Sequence, residues 1–263
     1  MLRTTDLTKR FGGITATDHV NFELGEELTS LIGPNGAGKT TFFNLLTGAL
    51  TPSDGTVEFK QDGEWVDITD AKPQETAKLG IHRSFQITNI FPTSTVLENV
   101  RVAAQAHGQN SLRFWRNVNA FEEHHEEAHA ILERVGLDGQ EQVTAENLSH
   151  GEKRQLEVAI ALAGDPDVLL LDEPNAGVST ENVGDIKDLI EDVATDHAVL
   201  LVEHNMDIVM DVSERVVVLN QGAVIADDKP ENVRGDPDVQ EAYLGGYEAG
   251  DLEQQTTTDG GVV

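Results

Sequence analysis

Cysteine is absent from the 263 residues. No disulfide forms within the chain, and no zinc or iron–sulfur site built on thiolates does either, which fits a reducing compartment. Aromatic residues make up only 5%, so a core must be largely aliphatic. Basic side chains are scarce as well, with 18 Lys and Arg against 47 Asp and Glu for a net charge of −29. The acids run from Asp6 to Asp259 instead of filling one tail. Counterion release on nucleic acid needs clustered cations, so no nucleic-acid partner is expected, and anionic lipid is disfavoured for the same reason. Such a surface repels itself at low salt and is tolerated when salt screens it, which reads as adaptation to a salty cytoplasm. Long hydrophobic runs are missing too. None approaches the roughly 20 residues that cross a bilayer, and Met1–Arg10 lacks the apolar segment of a signal peptide. The expectation is a soluble chain that sits on a membrane protein if it meets a membrane at all.

What is present is strong local patterning. Residues 1–32 alternate apolar and polar around Gly12-Gly13 and Gly25, which predicts short antiparallel strands. Leu28–Ile32 reads as a strand running into a glycine-rich loop. Phe42, Leu45, Leu46 and Leu50 then fall at helical spacing over Thr41–Leu50, stopped by Pro52 and an Asp54-Gly55 turn. Val57–Phe59 and Trp65–Ile68, joined around Asp62-Gly63, predict a hairpin. From Thr88 to Ala163 the pattern is helical. Beyond it, Val168–Leu171, Val199–Val202 and Val216–Leu219 read as buried strands, with an amphipathic helix over Asn182–Val193 and a last hairpin from Val216–Leu219 to Val224–Ala226. Alternating strands and helices imply a mostly parallel α/β sheet. Residues 248–263 are polar and rich in Gly and Thr, a composition expected to be disordered.

The decisive segment is Gly33-Pro34-Asn35-Gly36-Ala37-Gly38-Lys39-Thr40-Thr41, which fits G-x-x-x-x-G-K-[ST] between a predicted strand and a predicted helix. Its glycines let backbone N–H groups converge on phosphate oxygens, and the helix N-terminus adds a favourable dipole. Lys39 would reach the β- and γ-phosphates, and the Thr40 hydroxyl would ligate Mg²⁺. The run Val168-Leu169-Leu170-Leu171-Asp172-Glu173 is an apolar strand ending in two carboxylates. It would deliver Asp172 to the metal and set Glu173 to orient or deprotonate the attacking water.

With these in place, Leu148-Ser149-His150-Gly151-Glu152 resembles the LSGGQ signature of ABC-transporter ATPases, with His150 and Glu152 replacing the usual glycine and glutamine. Gln86 after Phe85 is similar to the Q-loop, His204 to the switch histidine, and Phe11 to the aromatic on which adenine stacks. The resemblance covers about residues 1–247. It implies a P-loop NTPase (RecA-like) core with an antiparallel β subdomain and a helical subdomain, roughly 88–163, inserted into it. It also implies head-to-tail pairing with a second ABC ATPase subunit, as a homo- or heterodimer, so that Ser149 and Gly151 of one chain meet the γ-phosphate held by the other. His204 would hold that phosphate and Gln86 would help place metal and water. Ser179 stands where the family's D-loop usually has aspartate.

The segments Gly80–Gln86, Ile90–Pro92, Thr95–Val100, Leu201–Met206 and Ala242–Gly245 resemble the high-affinity branched-chain amino-acid importers, in which such subunits lie on the cytoplasmic face beneath transmembrane permease subunits and an external solute-binding protein. Urea-importer and lipopolysaccharide-export ATPases share much of this pattern. A soluble cluster-assembly ATPase is the reading from another class, and the segments around Arg83–Gln86 and Phe91–Val100 argue against it. His125 and His129 lie at i, i+4, a spacing that can clamp a metal, but beside so many glutamates a solvated helix face is the favoured reading.

Overall fold

A computed structural model of the chain describes residues 1–84, 90–107, 118–178 and 183–244. Two sheets organise it. The first is antiparallel, with β1 (Leu2–Phe11), β2 (Ile14–Leu24), β4 (Asp54–Gln61) and β5 (Glu64–Asp67) in the order β2-β1-β4-β5. β1 and β2 turn over Gly12-Gly13 as the punctuation predicts, pairing Phe11 with Ile14. β4 and β5 turn over Asp62-Gly63, whose φ angles of 50° and 86° are both positive, the geometry that matches strand twist in a two-residue hairpin.

The second sheet holds β3 (Leu28–Ile32), β6 (Ile81–Arg83), β7 (Val168–Asp172), β8 (Ala198–Val202), β9 (Arg215–Asn220) and β10 (Ala223–Asp228), in the order β10-β9-β3-β8-β7-β6. All neighbours are parallel except the β9–β10 hairpin. Every residue of β3, β7 and β8 is buried. Strands covered on both faces carry unbroken apolar runs instead of alternation, which is what their sequences show.

The pleat nevertheless sorts each strand between two cores. Leu169, Leu171, Val199 and Leu201 point to one face, against α3 (Val96–His107), α5 (His150–Leu162) and α6 (Val183–Val193). Val168, Leu170, Leu200 and Val202 point to the other, against α1 (Lys39–Leu46) and the inner face of the antiparallel sheet. There the Phe22 and Phe42 rings meet edge to face at 5.5 Å. Among the described residues, α4 (Val118–Arg134) also lies between β6 and β7, and no helix is long and apolar enough to cross a membrane.

Three local expectations are corrected. The helix after the glycine-rich loop starts at Lys39 and ends at Leu46, because Gly38 takes the left-handed conformation (φ 106°) and opens it two residues early. Asp54-Gly55 begins β4 instead of making a turn. Gly55 sits so close to Asp6 that a Cβ there would lie 2.4 Å from the Asp6 carbonyl oxygen, and the β1–β4 register shifts at that point. The short β6 and α2 (Pro73–Lys78) were not anticipated, nor were α7 (Met206–Val212), α8 (Pro230–Gly235) and α9 (Pro237–Leu244), which cover a third small cluster around Ile32, Val209, Val216 and Val218.

Phe42 is fully buried between the two sheets. Phe42→Ala is expected to cost about 3–5 kcal/mol, read from chemical denaturation at high salt.

Candidate active site

The parallel strands deliver their C-terminal ends to one edge of the sheet, where the Gly33–Gly38 loop, Lys39, Asp172, Glu173 and His204 stand. The Gly33–Gly38 loop leaves β3 and is clasped from both sides. A Cβ on Gly33 (φ 149°) would lie 2.0 Å from the Leu219 carbonyl oxygen, and one on Gly38 would lie 2.2 Å from that of Ala16. The Gly222 N–H donates to the Ala37 carbonyl at 2.9 Å. These close approaches explain glycine at both ends of the loop. The first turn of α1 holds no acidic residue and no side-chain cap, so its N–H groups are open to an anion. Pro34, Asn35 and Gly36 form the outer bend, while Thr40 is exposed at the helix start and Thr41 half-buried behind it.

Lys39 is 7% exposed. Its ammonium donates to the carbonyls of Gly33 at 2.6 Å and Pro34 at 3.2 Å. Burial lowers its pKa, against the opposing pull of the Glu173 and Asp172 carboxylates. Asp172 ends β7 at 3% exposure. Its Oδ2 accepts from Arg83 Nη2 at 2.5 Å, and Arg83 Nη1 donates to Asn44 Oδ1 at 2.6 Å. The guanidinium also lies over the Phe43 ring at 5.5 Å. Glu173 adopts a left-handed backbone (φ 50°), with its N–H donating to the Val202 carbonyl at 2.8 Å. Its Oε1 lies 2.8 Å from His204 Nε2. Lys39, Asp172, Glu173 and His204 are thus brought together, from α1, β7 and the segment after β8.

Phe11 closes β1, 46% exposed as a residue and with Lys9 Nζ 5.3 Å from the ring centre, an aromatic at the surface fit for stacking. Gln86 and Ser179 lie outside the described residues. Chemically, the edge offers N–H donors and an ammonium for phosphates, a paired carboxylate and imidazole for a water, and hard oxygen donors (the Thr40 hydroxyl and the Asp172 carboxylate) of the kind Mg²⁺ takes.

The chain as a whole is similar to known proteins. Residues 17–176 match the ABC transporter family, and residues 223–249 match the family described as the branched-chain amino acid ATP-binding cassette transporter. The high-affinity branched-chain amino acid transport ATP-binding protein LivG of Escherichia coli K12 is 38% identical over 255 residues, 93% of this chain and 98% of its own length. BraF of Pseudomonas aeruginosa, named for the same transport, is 40% identical, again over 93% and 98%. The chain belongs to the ABC transporter ATPase family. A probable LivG from Archaeoglobus fulgidus is 37% identical over 95% of the cassette and 97% of its own length. The crystal structure of an ABC-transporter ATP-binding cassette in its ADP conformation superposes with a TM-score of 0.81 at 34% identity, covering 93% of the cassette and 98% of that chain. The family binds adenine nucleotides.

The signature segment stands elsewhere in the cassette. Ser149 caps α5, its Oγ accepting from the Glu152 N–H at 3.2 Å while Glu152 Oε2 accepts from the Ser149 N–H at 2.7 Å. Gln140 steadies the other Glu152 oxygen at 3.1 Å. Glutamate therefore completes the capping box in glutamine's place, and Ser149 keeps its own hydroxyl proton free to donate. Gly151 is buried in the first turn. Ser149 and Gly151 line a cleft with Gly136, Gln155 and Asp185. A hollow of about 550 Å³ flanks the outside of the phosphate loop and shares no lining residue with that cleft. Asp238 and Glu241 line it, so it is unsuited to phosphate and lies apart from Lys39 and Asp172.

Three neighbours of the site carried no role in the sequence reading. Arg83 and Glu203 stood only as letters of a family pattern. Tyr243, on α9, has its phenol pushed up to about 12 by burial, against the opposing pull of the Gly33 backbone N–H. Charge at the end of an apolar strand is the one signal that pointed to Arg83 and Glu203. His125 is exposed, and His129 faces Glu141 at 3.8 Å.

Gly33→Ala has no room for its methyl group. The substitution is expected to cost more than about 2 kcal/mol and to weaken ATP binding, measured by denaturation and titration calorimetry.

Proposed function

We propose that this cassette is the ATP-hydrolysing subunit of an importer for branched-chain amino acids. The observation that carries the reading is the likeness, along nearly the whole chain and again in its C-terminal segment, to proteins named for that transport. On this reading residues 1–247 form the ATPase domain, the helices within about 88–163 form its inserted subdomain, and 248–263 form a tail.

Adenine stacks on Phe11. The backbone of Gly33, Pro34, Asn35, Gly36, Ala37 and Gly38 wraps the phosphates, Thr41 continues the helix behind them, and Lys39 trades its loop carbonyls for β- and γ-phosphate oxygens. Thr40 and Asp172, with Gln86, would hold Mg²⁺, and the donor set fits: Arg83 takes Oδ2 of Asp172 and leaves Oδ1 to a cation. Mg²⁺ supplies charge neutralisation at the phosphate oxygens when bound. Glu173 orients the attacking water and takes its proton. His204, its Nε2 2.8 Å from the Glu173 carboxylate, holds the γ-phosphate. Ser149 and Gly151 reach the nucleotide of a second cassette, where the N-terminus of α5 adds its dipole. Each site is therefore complete only in a pair, identical or mixed, and closure of the pair is driven by the nucleotide. The pair works on the cytoplasmic face, bound peripherally to transmembrane permease subunits and serving an external solute-binding protein.

Deletion of the gene in its own host tests the cargo. Uptake of labelled leucine, isoleucine and valine is expected to fall at native salt while urea uptake stays unchanged. Loss of urea uptake alone would move the cassette to the urea importers.

Glu173→Gln tests the chemistry. ATP binding is expected to persist, turnover to be abolished, and a dimer to accumulate with ATP by light scattering. Normal turnover would remove Glu173 from its role.

A further inference from the structure

β8 ends at Val202, and the next residue is a buried carboxylate. Glu203 is 5% exposed, yet no cation bonds it among the described hydrogen bonds and ion pairs. Its partners are three backbone N–H groups. Asn175 donates to Oε1 at 3.0 Å, and His204 and Asn205 donate to Oε2 at 3.0 and 3.3 Å. Bonds from backbone N–H to a buried carboxylate are among the stronger hydrogen bonds in a protein. They reach across two different segments, the turn that follows Glu173 and the turn that opens α7.

Those segments carry the two side chains that meet above. Glu173 lies two residues before Asn175, and its Oε1 lies 2.8 Å from the imidazole of His204. Glu173 itself holds a left-handed φ of 50°, a conformation that persists in a non-glycine residue only where the surroundings over-determine it. Three restraints surround it: its own N–H on Val202, the Ala176 N–H on its carbonyl, and the Asn175 N–H on Glu203. On the far side Asn205 passes the tie onward, its Oδ1 accepting from Asp207 and Ile208 at the start of α7.

We propose that Glu203 is a positioning residue for hydrolysis. Its carboxylate binds the Glu173 turn and the His204 turn into one body, so that base and imidazole keep a single mutual geometry and move together when segment 174–178 moves. The inference rests on the roles proposed above for Glu173 and His204. A carboxylate suits this place because both of its oxygens accept. An amide of the same shape presents an NH₂ to the Asn175 N–H in one flip and to the His204 and Asn205 N–H groups in the other, and donor then meets donor.

The test is steady-state ATPase activity of Glu203→Gln at high salt, with ATP affinity and thermal midpoint measured on the same preparation. Turnover is expected to fall by about tenfold to 100-fold, the scale of an ångström-sized misplacement of reacting groups, with KM and Kd for ATP within about threefold, since Lys39 and the phosphate loop are untouched. Glu203→Asp keeps two acceptor oxygens and is expected to recover part of the loss. A folded Glu203→Gln with wild-type kcat overturns the proposal. So does a loss of kcat matched by an equal loss of ATP affinity, the mark of general damage. If Glu203→Gln does not fold, Glu203→Asp decides: reduced kcat at unchanged KM supports the clamp, and wild-type kcat refutes it. Failure of the underlying reading looks different, because Glu173→Gln would then turn over ATP normally.

Discussion

The parallel pairing of β7 with β8 sets Asp172 directly beside Val202, and the site depends on that register. Both strands are buried along their whole length, so a slip of one residue would drive an entire row of aliphatic side chains into the wrong core. The same rule holds β3 to β8, with Leu31 opposite Val202. Three strands therefore end level at one edge. Whatever follows their last apolar residue emerges together: the glycine loop after Ile32, the Asp172-Glu173 pair, and Glu203-His204 after Val202. Hydrophobic burial fixes the polar constellation without any polar group having to find its partner first.

Charge is the second constraint, and it runs against the first impression of composition. A chain with a net charge of −29 has to gather triphosphate oxygens at an edge that already holds Asp172 and Glu173. Two of its few cations, Lys39 and Arg83, are spent there, both largely shielded from solvent. The rest of the attraction comes from peptide dipoles, since the first turn of α1 carries no acid. Buried cations and fixed dipoles are screened far less than surface charges. The phosphate edge can thus stay attractive at ionic strengths that screen the acidic surface.

How much of this was legible in the sequence follows from how each feature is encoded. The phosphate loop, the buried strands and the hairpins announce themselves through glycine, aliphatic runs and two-residue turns, and they stand where the patterns put them. The start of α1 was misjudged because Gly38 acts as its cap through backbone conformation alone. β6 spans three residues, too few for any period, and α8 and α9 are short helices each opened by proline, a start signal that was there to use. The Glu203 clamp was illegible for a deeper reason. Its partners are backbone N–H groups at Asn175, His204 and Asn205, which every residue but proline possesses, so no pattern of side chains marks them.

The departures from the family signature bear on function through the same backbone logic. Capping α5 requires an acceptor three residues beyond Ser149, and a glutamate supplies it as well as a glutamine does. The extra negative charge sits at the positive end of the helix, where it is favoured. That same charge opposes an incoming phosphate, so the segment keeps its cap while giving up some anion attraction. Gln140 donates to the second Glu152 carboxylate oxygen at 3.1 Å, and the Ser149 Oγ accepts from the Glu152 N–H. The hydroxyl proton, rather than the dipole alone, then becomes the main polar contribution this segment can offer to a nucleotide held by a second cassette.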